Sequence, residues 1–219
     1  MSSGELIVFV AHMDDLEFSC LGYLLRNQKK YNTIKLVTAT TWLEKQEVHA
    51  KNHHIIKHEL LENFKQVQII NLDYPQRTLQ TNFDLVKDSF YKCIDFDSDF
   101  DILTHDKNDA HSDHIAVNNV AYGLYKYAKR FITFYSPSSV NFIPNYYIEL
   151  AENENELKRK LLTNYDFSKE QSYSKRGTYF RRDYTDIASV YSMENFVGNE
   201  MKYCEIYKIH KWVEQIDDK

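Results

Sequence analysis

Short apolar runs alternate with helical patterns along the first 135 residues. Glu5 to Val10 is continuous and rich in β-branched residues, as expected of a strand buried on both faces of a parallel sheet. Ile34–Thr40, Val67–Leu72, Asp101–Thr104 and Phe131–Tyr135 repeat the signal, the last stopping at Ser136-Pro137. Between them, Leu16, Cys20, Leu21, Leu24 and Leu25 fall at helical spacing, Lys45–Phe64 reads as a long helix, and Phe83–Phe96 as an amphipathic one. Val117, Val120, Ala121, Leu124 and Ala128 mark a further helix stripe. Asp14 with Glu17 three residues later resembles a capping box, so the first strand hands over to its helix at an acidic pair.

Strands alternating with helices imply right-handed crossovers and an α/β fold: a mostly parallel sheet with helices on both faces. The length of 219 residues and the lack of a composition break suit one domain over 1–219. From Asn141 the pattern loosens into a charged helix around Glu154–Tyr165, a basic stretch at Ser174–Arg182 and a segment Ile187–Val197. Residues 141–219 are therefore expected to be a C-terminal extension packed on the sheet.

Composition narrows the function. With 43% hydrophobic and 27% charged residues the chain can build a core, and a net charge of -5 gives no basic field for nucleic acid. Cys20, Cys93 and Cys204 are odd in number and lack CxxC spacing, which argues against a disulfide framework and a thiolate zinc site. No basic n-region precedes the first apolar run and no run is long enough to span a bilayer, so the expectation is a soluble, cytoplasmic protein.

Chemistry concentrates where strands end. In an open α/β sheet the functional crevice lies beyond the carboxyl ends of the strands, where His12 and the segment His105–His114 emerge. Two adjacent carboxylates, Asp14 and Asp15, are costly to hold together unless a cation or hydrogen-bond donors compensate them. His12 and Asp15 are close enough in sequence to bind one ion, with Asp14 free to act as a base; taken alone, the acidic pair also fits a plain helix cap. His111 and His114 lie on one face of a helical first turn, with Asp113 placed to orient an imidazole. Nitrogen and carboxylate donors without thiolate suit catalytic zinc, whose chemistry with a neighbouring base is hydrolysis.

Two sequence motifs carry a resemblance. Ala11-His12-Met13-Asp14-Asp15, running on to Leu21-Gly22, resembles the AHPDDExxLGxGG signature of the PIG-L/LmbE-like metal-dependent deacetylases, and His111-Ser112-Asp113-His114 matches that family's HPDH motif. Phe142-Ile143-Pro144-Asn145, Arg176-Gly177 and Tyr191–Phe196 are similar to its later landmarks. Met13 and Ser112 stand where the motifs carry proline. The resemblance implies a Rossmann-like fold, a zinc ion (or iron, or another divalent metal) and hydrolysis of an N-acyl group. The implied partner is an N-acetylated sugar, nucleotide-sugar or glycoconjugate; the oligomeric state is left open, a homo-oligomer included. By position it implies His12, Asp15 and His114 as metal ligands, Asp14 as general base, and His111 as the group stabilising the oxyanion, with Asp113 tuning it.

Arg77 and His105, each just past a strand end, are candidate substrate-binding residues. His54 and His58 have the spacing of a helical zinc pair but lack the glutamate of HExxH enzymes, and read as helix-face residues. Lys175, Arg176, Arg181 and Arg182 form a basic patch that reads as a solvated loop. The GxGxxG of a nucleotide-binding oxidoreductase and the GxSxG of a serine hydrolase are both missing. The remaining alternatives to an N-deacetylase are an amidase or deformylase with the same machinery, and a non-catalytic metal-binding module.

Overall fold

The computed structural model describes residues 4–41, 46–61, 67–164 and 203–213. Five strands run parallel: β1 (Glu5–Val10), β2 (Thr33–Thr41), β3 (Val67–Pro75), β4 (Phe100–His105) and β5 (Arg130–Phe134). Helices α1 (Asp15–Ser19) and α2 (Leu21–Asn27) join β1 to β2, α3 (Gln46–Leu61) lies between β2 and β3, α4 (Phe83–Tyr91) between β3 and β4, and α5 (Ser112–Tyr122) between β4 and β5. The order β3-β2-β1-β4-β5 places β4 beside β1, so the chain reverses direction across the sheet between those two strands. A crevice opens where neighbouring connections leave in opposite directions, and that is where His12 and the segment after His105 lie.

Alternation along β1 builds both halves of the core. Leu6, Val8 and Val10 pack with Leu16, Leu21, Leu24 and Ile56 on one face; Ile7, Phe9 and Ala11 pack with Val86, Phe90, Val117 and Val120 on the other. Phe9 and Phe90 stack with ring centroids 3.8 Å apart. Burial on both sides explains the continuous apolar run of β1 and the apolar centres Leu36-Val37 of β2 and Ile102-Leu103 of β4.

Three expectations need correction. The helix after the acidic pair is broken at Cys20, and Asp14 at the N-cap of α1 makes no side-chain capping bond. Glu17 does not complete a capping box, because it is fully buried with Oε1 accepting from Asn52 Nδ2 at 3.2 Å. The C-terminal part also does more than pack on the sheet: β6 (Tyr146–Glu149) and β7 (Cys204–Trp212) enter it as antiparallel strands, β7 pairing with both β5 and β6. Helix α6 (Glu152–Thr163) is the charged helix read from the sequence. The segments 174–182 and 187–197, with the motifs at Arg176-Gly177 and Tyr191–Phe196, lie outside the described residues.

Gly22, at the start of α2, is required by close approach. A Cβ there would lie 2.4 Å from Leu150 Cδ2 and 2.8 Å from Glu205 Oε2. Glu205, far away on β7, accepts the Tyr23 N–H at 3.1 Å and so caps α2 from outside the helix.

Helix α3 turns His54 and His58 outward, as expected, and buries a different pair. His49 and His53 have ring centroids 3.6 Å apart. Burial lowers the pKa of His49 to about 4; burial and the neighbouring His49 lower that of His53 to about 3. Both are neutral at pH 7. Below the unfolded histidine value of about 6.5 the unfolded chain binds protons that the fold refuses, so stability falls as the pH drops. Between pH 6 and 4.5, urea unfolding of wild type is expected to lose about 1.4 kcal/mol per pH unit more than that of His53→Leu, one proton's worth of linkage. Parallel slopes would show that His53 is protonated in the fold.

Candidate metal and catalytic site

The turn after β1 is tied down on every side. Ala11 N–H donates to His105 Nε2 at 3.0 Å, while Ala11 O accepts from Thr40 N (2.9 Å) and Thr40 Oγ1 (2.8 Å) on β2. The next amide, His12 N–H, donates to Asp15 Oδ2 at 2.7 Å, which folds the Asp15 carboxylate back toward the strand end. The second cluster opens α5. His111 is its N-cap, with Nδ1 accepting the Asp113 N–H at 3.2 Å, and His114 is buried in the first turn.

Four atoms of three residues then converge across the two clusters. His12 Nδ1 stands 3.1 Å from His114 Nε2 and 3.3 Å from Asp15 Oδ2, and His114 Nε2 is 3.4 Å from Asp15 Oδ1. Donors held about 2.0–2.1 Å from one tetrahedral ion stand about 3.3–3.4 Å from each other, a spacing that the contacts of His12 and His114 with the two Asp15 oxygens approach. The outer nitrogens strengthen the fit. His114 Nδ1 lies 3.0 Å from Asp109 Oδ2, and His12 Nε2 lies 3.3 Å from Asp113 Oδ2. A carboxylate behind each imidazole draws the proton outward and aims the other nitrogen's lone pair inward.

Two groups, His12/His111/His114 and Asp15/His105/His114, bring one ligand atom from each residue within 4.8 Å of one another. Each contains a histidine already engaged elsewhere. His111 Nδ1 accepts from Asp113 N, leaving the proton of the neutral ring on Nε2, and His105 Nε2 accepts from Ala11 N. In His12, Asp15 and His114 the inward atoms are His12 Nδ1, His114 Nε2 and Asp15 Oδ1, while Asp15 Oδ2 already accepts the His12 N–H.

Charge follows the same logic. Against burial, Asp15 and contacts with Asp113 raise His12 to about 10, and Asp15 and Asp109 raise His114 to about 9. The site therefore attracts positive charge, which protons supply when no metal does. Against burial, His114, His105 and His12 hold Asp15 well below the usual carboxylate range. Asp14 is the exception: burial, then the neighbouring Asp15, raise it to about 6. His111 goes the other way, lowered to about 4 by burial and by His12 and His114, and is neutral at pH 7 with a proton to donate from Nε2.

The remaining sequence candidates are distributed differently. His105 does not line the crevice: it is fully buried at the end of β4, stacked on His114 with centroids 3.9 Å apart. Its position two residues beyond Leu103 turns it into the same core face. Arg77 is exposed and has a left-handed backbone (φ 63°); its N–H donates to Asp113 Oδ2 at 2.6 Å. Asp113 turns its carboxylate to His12 rather than to His111, which it meets through its backbone N–H. Asp109 escaped the sequence reading. It accepts from His111 N (2.7 Å) and Ser136 Oγ (2.6 Å) besides backing His114, and its signal was an acidic residue two positions before the histidine motif.

Comparison with known proteins agrees with this arrangement in fold and family. The chain superimposes on N,N'-diacetylchitobiose deacetylase from Pyrococcus horikoshii with a TM-score of 0.67 and 15% identity, covering 94% of this chain and 83% of that one. The zinc-inhibited form of teicoplanin deacetylase Orf2 gives 0.58 at 14% identity, covering 98% and 100%. GalB, the 4-carboxy-2-hydroxymuconate hydratase from Pseudomonas putida KT2440, gives 0.61 at 13% identity, covering 100% and 99%. No curated protein matches the chain. At such identities the likeness shows the fold, and the sequence shows the family: residues 7–125, more than half of the chain and both histidine clusters, match the family model described as GlcNAc-PI de-N-acetylase, and the chain belongs to that PIG-L family.

Proposed function

We propose that the protein is a metal-dependent hydrolase that removes an N-acetyl group from an amino sugar or sugar conjugate. The observation that carries this reading is the pairing of two carboxylate-backed histidines with Asp15 next to Asp14, a carboxylate left out of helix capping. A purely structural metal site has no use for such a group. Family membership and the two deacetylases of the same fold support the substrate class. GalB, on that fold, catalyses a hydration, so the fold by itself does not select the reaction.

In this proposal His12, Asp15 and His114 would hold the ion, zinc or iron. A divalent ion there supplies Lewis-acid polarisation of the acyl carbonyl and lowers the pKa of water to about 7. Asp14, ionised at neutral pH, takes the proton from the attacking water and returns it to the departing amine. His111 donates Nε2–H to the oxygen of the tetrahedral intermediate, a role a neutral imidazole fills without adding fixed charge. Asp109 and Asp113 keep the two ligand histidines in one tautomer and orientation.

The test combines elemental analysis with a screen for amine and acetate release over N-acetylated sugars and nucleotide-sugars. One ion per chain and equimolar release of both products are expected. His12→Ala and His114→Ala are expected to weaken metal uptake about tenfold or more, and His111→Ala to keep the metal while slowing release by a similar factor. Equal metal loss in all three variants would refute the ligand assignment, and no amine release from any N-acetylated sugar would refute the substrate class.

A further inference from the structure

The ligand turn has a support that neither the family resemblance nor the proposed chemistry assigns. His105 is fully buried, so it meets no substrate, yet it touches the surroundings of every proposed ligand. Its Nε2 accepts the N–H of Ala11, the residue before His12, and lies 3.2 Å from Asp15 Oδ2. Its ring lies nearly parallel to that of His114, at an interplanar angle of 21°, and Phe134 closes the pocket edge-on at 4.6 Å. The other ring nitrogen, Nδ1, is buried with no hydrogen-bond partner among the described residues.

A buried polar atom left without a partner is a cost that phenylalanine or leucine at the same position would avoid. The imidazole is therefore placed there for what its other edge and its faces do. Consecutive amides, Ala11 N–H and His12 N–H, are captured by His105 Nε2 and Asp15 Oδ2, so neither the strand end nor the carboxylate can turn without uncovering a buried donor. The flat ring beneath His114 fixes the plane in which that histidine presents Nε2.

We infer that His105 is a positioning residue, which presets the spacing of His12, Asp15 and His114 from behind without joining their coordination. The inference rests on the ligand assignment proposed above. Two substitutions separate its contributions: His105→Phe keeps the ring and loses the acceptor, and His105→Gln keeps an acceptor and loses the ring. In variants that retain the wild-type circular dichroism spectrum, zinc affinity is read by competition with a chelator, and kcat and KM with whichever N-acetylated substrate wild type turns over.

His105→Phe is expected to bind one ion about 10–100-fold more weakly, with lower kcat and a KM within about twofold of wild type, and His105→Gln to recover part of the affinity. X-ray absorption of zinc-loaded wild type is expected to count two imidazole ligands. Wild-type affinity in folded His105→Phe would reduce His105 to core filler, a changed KM alone would make it a substrate contact, and a third imidazole at the ion would make it a ligand; each overturns the inference. Metal uptake by wild type is the control that separates the two proposals. If wild type binds no metal, the ligand assignment fails; if it binds metal and the variants match it, only the role of His105 fails.

Discussion

Asp14→Asn is expected to lower turnover by about two orders of magnitude or more while leaving one metal ion bound. The substitution is nearly isosteric, and Asp14 makes no capping bond whose loss would disturb α1, so its effect should be confined to proton transfer. Burial and the neighbouring Asp15 bring the Asp14 carboxyl to about 6, which suits the proposed role of taking and returning a proton near neutral pH. An aspartic acid with the usual value would accept the proton of water poorly and hold it briefly. The amide of asparagine accepts none. Paired elemental analysis and steady-state kinetics test this: unchanged kcat would remove Asp14 from the mechanism, and loss of the metal would mean that Asp14 is itself a ligand. Since protonation disables the base, wild-type turnover is also expected to fall as the pH drops, and a bound cation moves that limb to lower pH.

Much of this architecture is legible in the sequence. β1 announces itself because both faces are buried, which leaves no polar position to interrupt Leu6 to Val10, and β2 and β4 show the same signal more briefly at Leu36-Val37 and Ile102-Leu103. Once the strands alternate with helices, the crevice follows from topology, and His12 and the His111 cluster must both emerge there. Which carboxylate backs which histidine was not legible, because Asp113 reaches His12 across 101 positions and Asp109 reaches His114 through a loop whose shape depends on Ser136. His105 misled for a simpler reason. Proximity to a strand end suggested the crevice, whereas the pleat carries its side chain to the same face as Leu103 and into the core. β7 was hidden by its own chemistry: Cys-Glu-Ile-Tyr-Lys-Ile-His-Lys-Trp mixes charged and apolar residues, and Glu205 is buried against Lys158, which comes from α6 to meet it.

That ion pair yields the largest expected effect on stability. Glu205→Ala is expected to destabilise the fold by about 3–5 kcal/mol, the usual consequence of removing one partner from a buried pair. Both side chains are about 2% exposed, with Lys158 Nζ 2.7 Å from Glu205 Oε1. The other carboxylate oxygen accepts from Tyr23 N and from the Tyr207 hydroxyl, so one truncation strands a buried ammonium, a helix-end amide and a phenol together. The pair as such need not stabilise the fold, because taking two charges out of water offsets most of their attraction. The double variant Lys158→Met/Glu205→Gln separates these terms. It removes both charges while leaving an amide oxygen for Tyr23 and Tyr207, and is expected to recover at least half of the loss in urea unfolding. A single-variant loss below about 1 kcal/mol would place the pair in the weak, solvent-screened class and contradict its burial. Failure of the double variant to recover would locate the energy in the ion pair itself, since the bonds to Tyr23 and Tyr207 keep an acceptor.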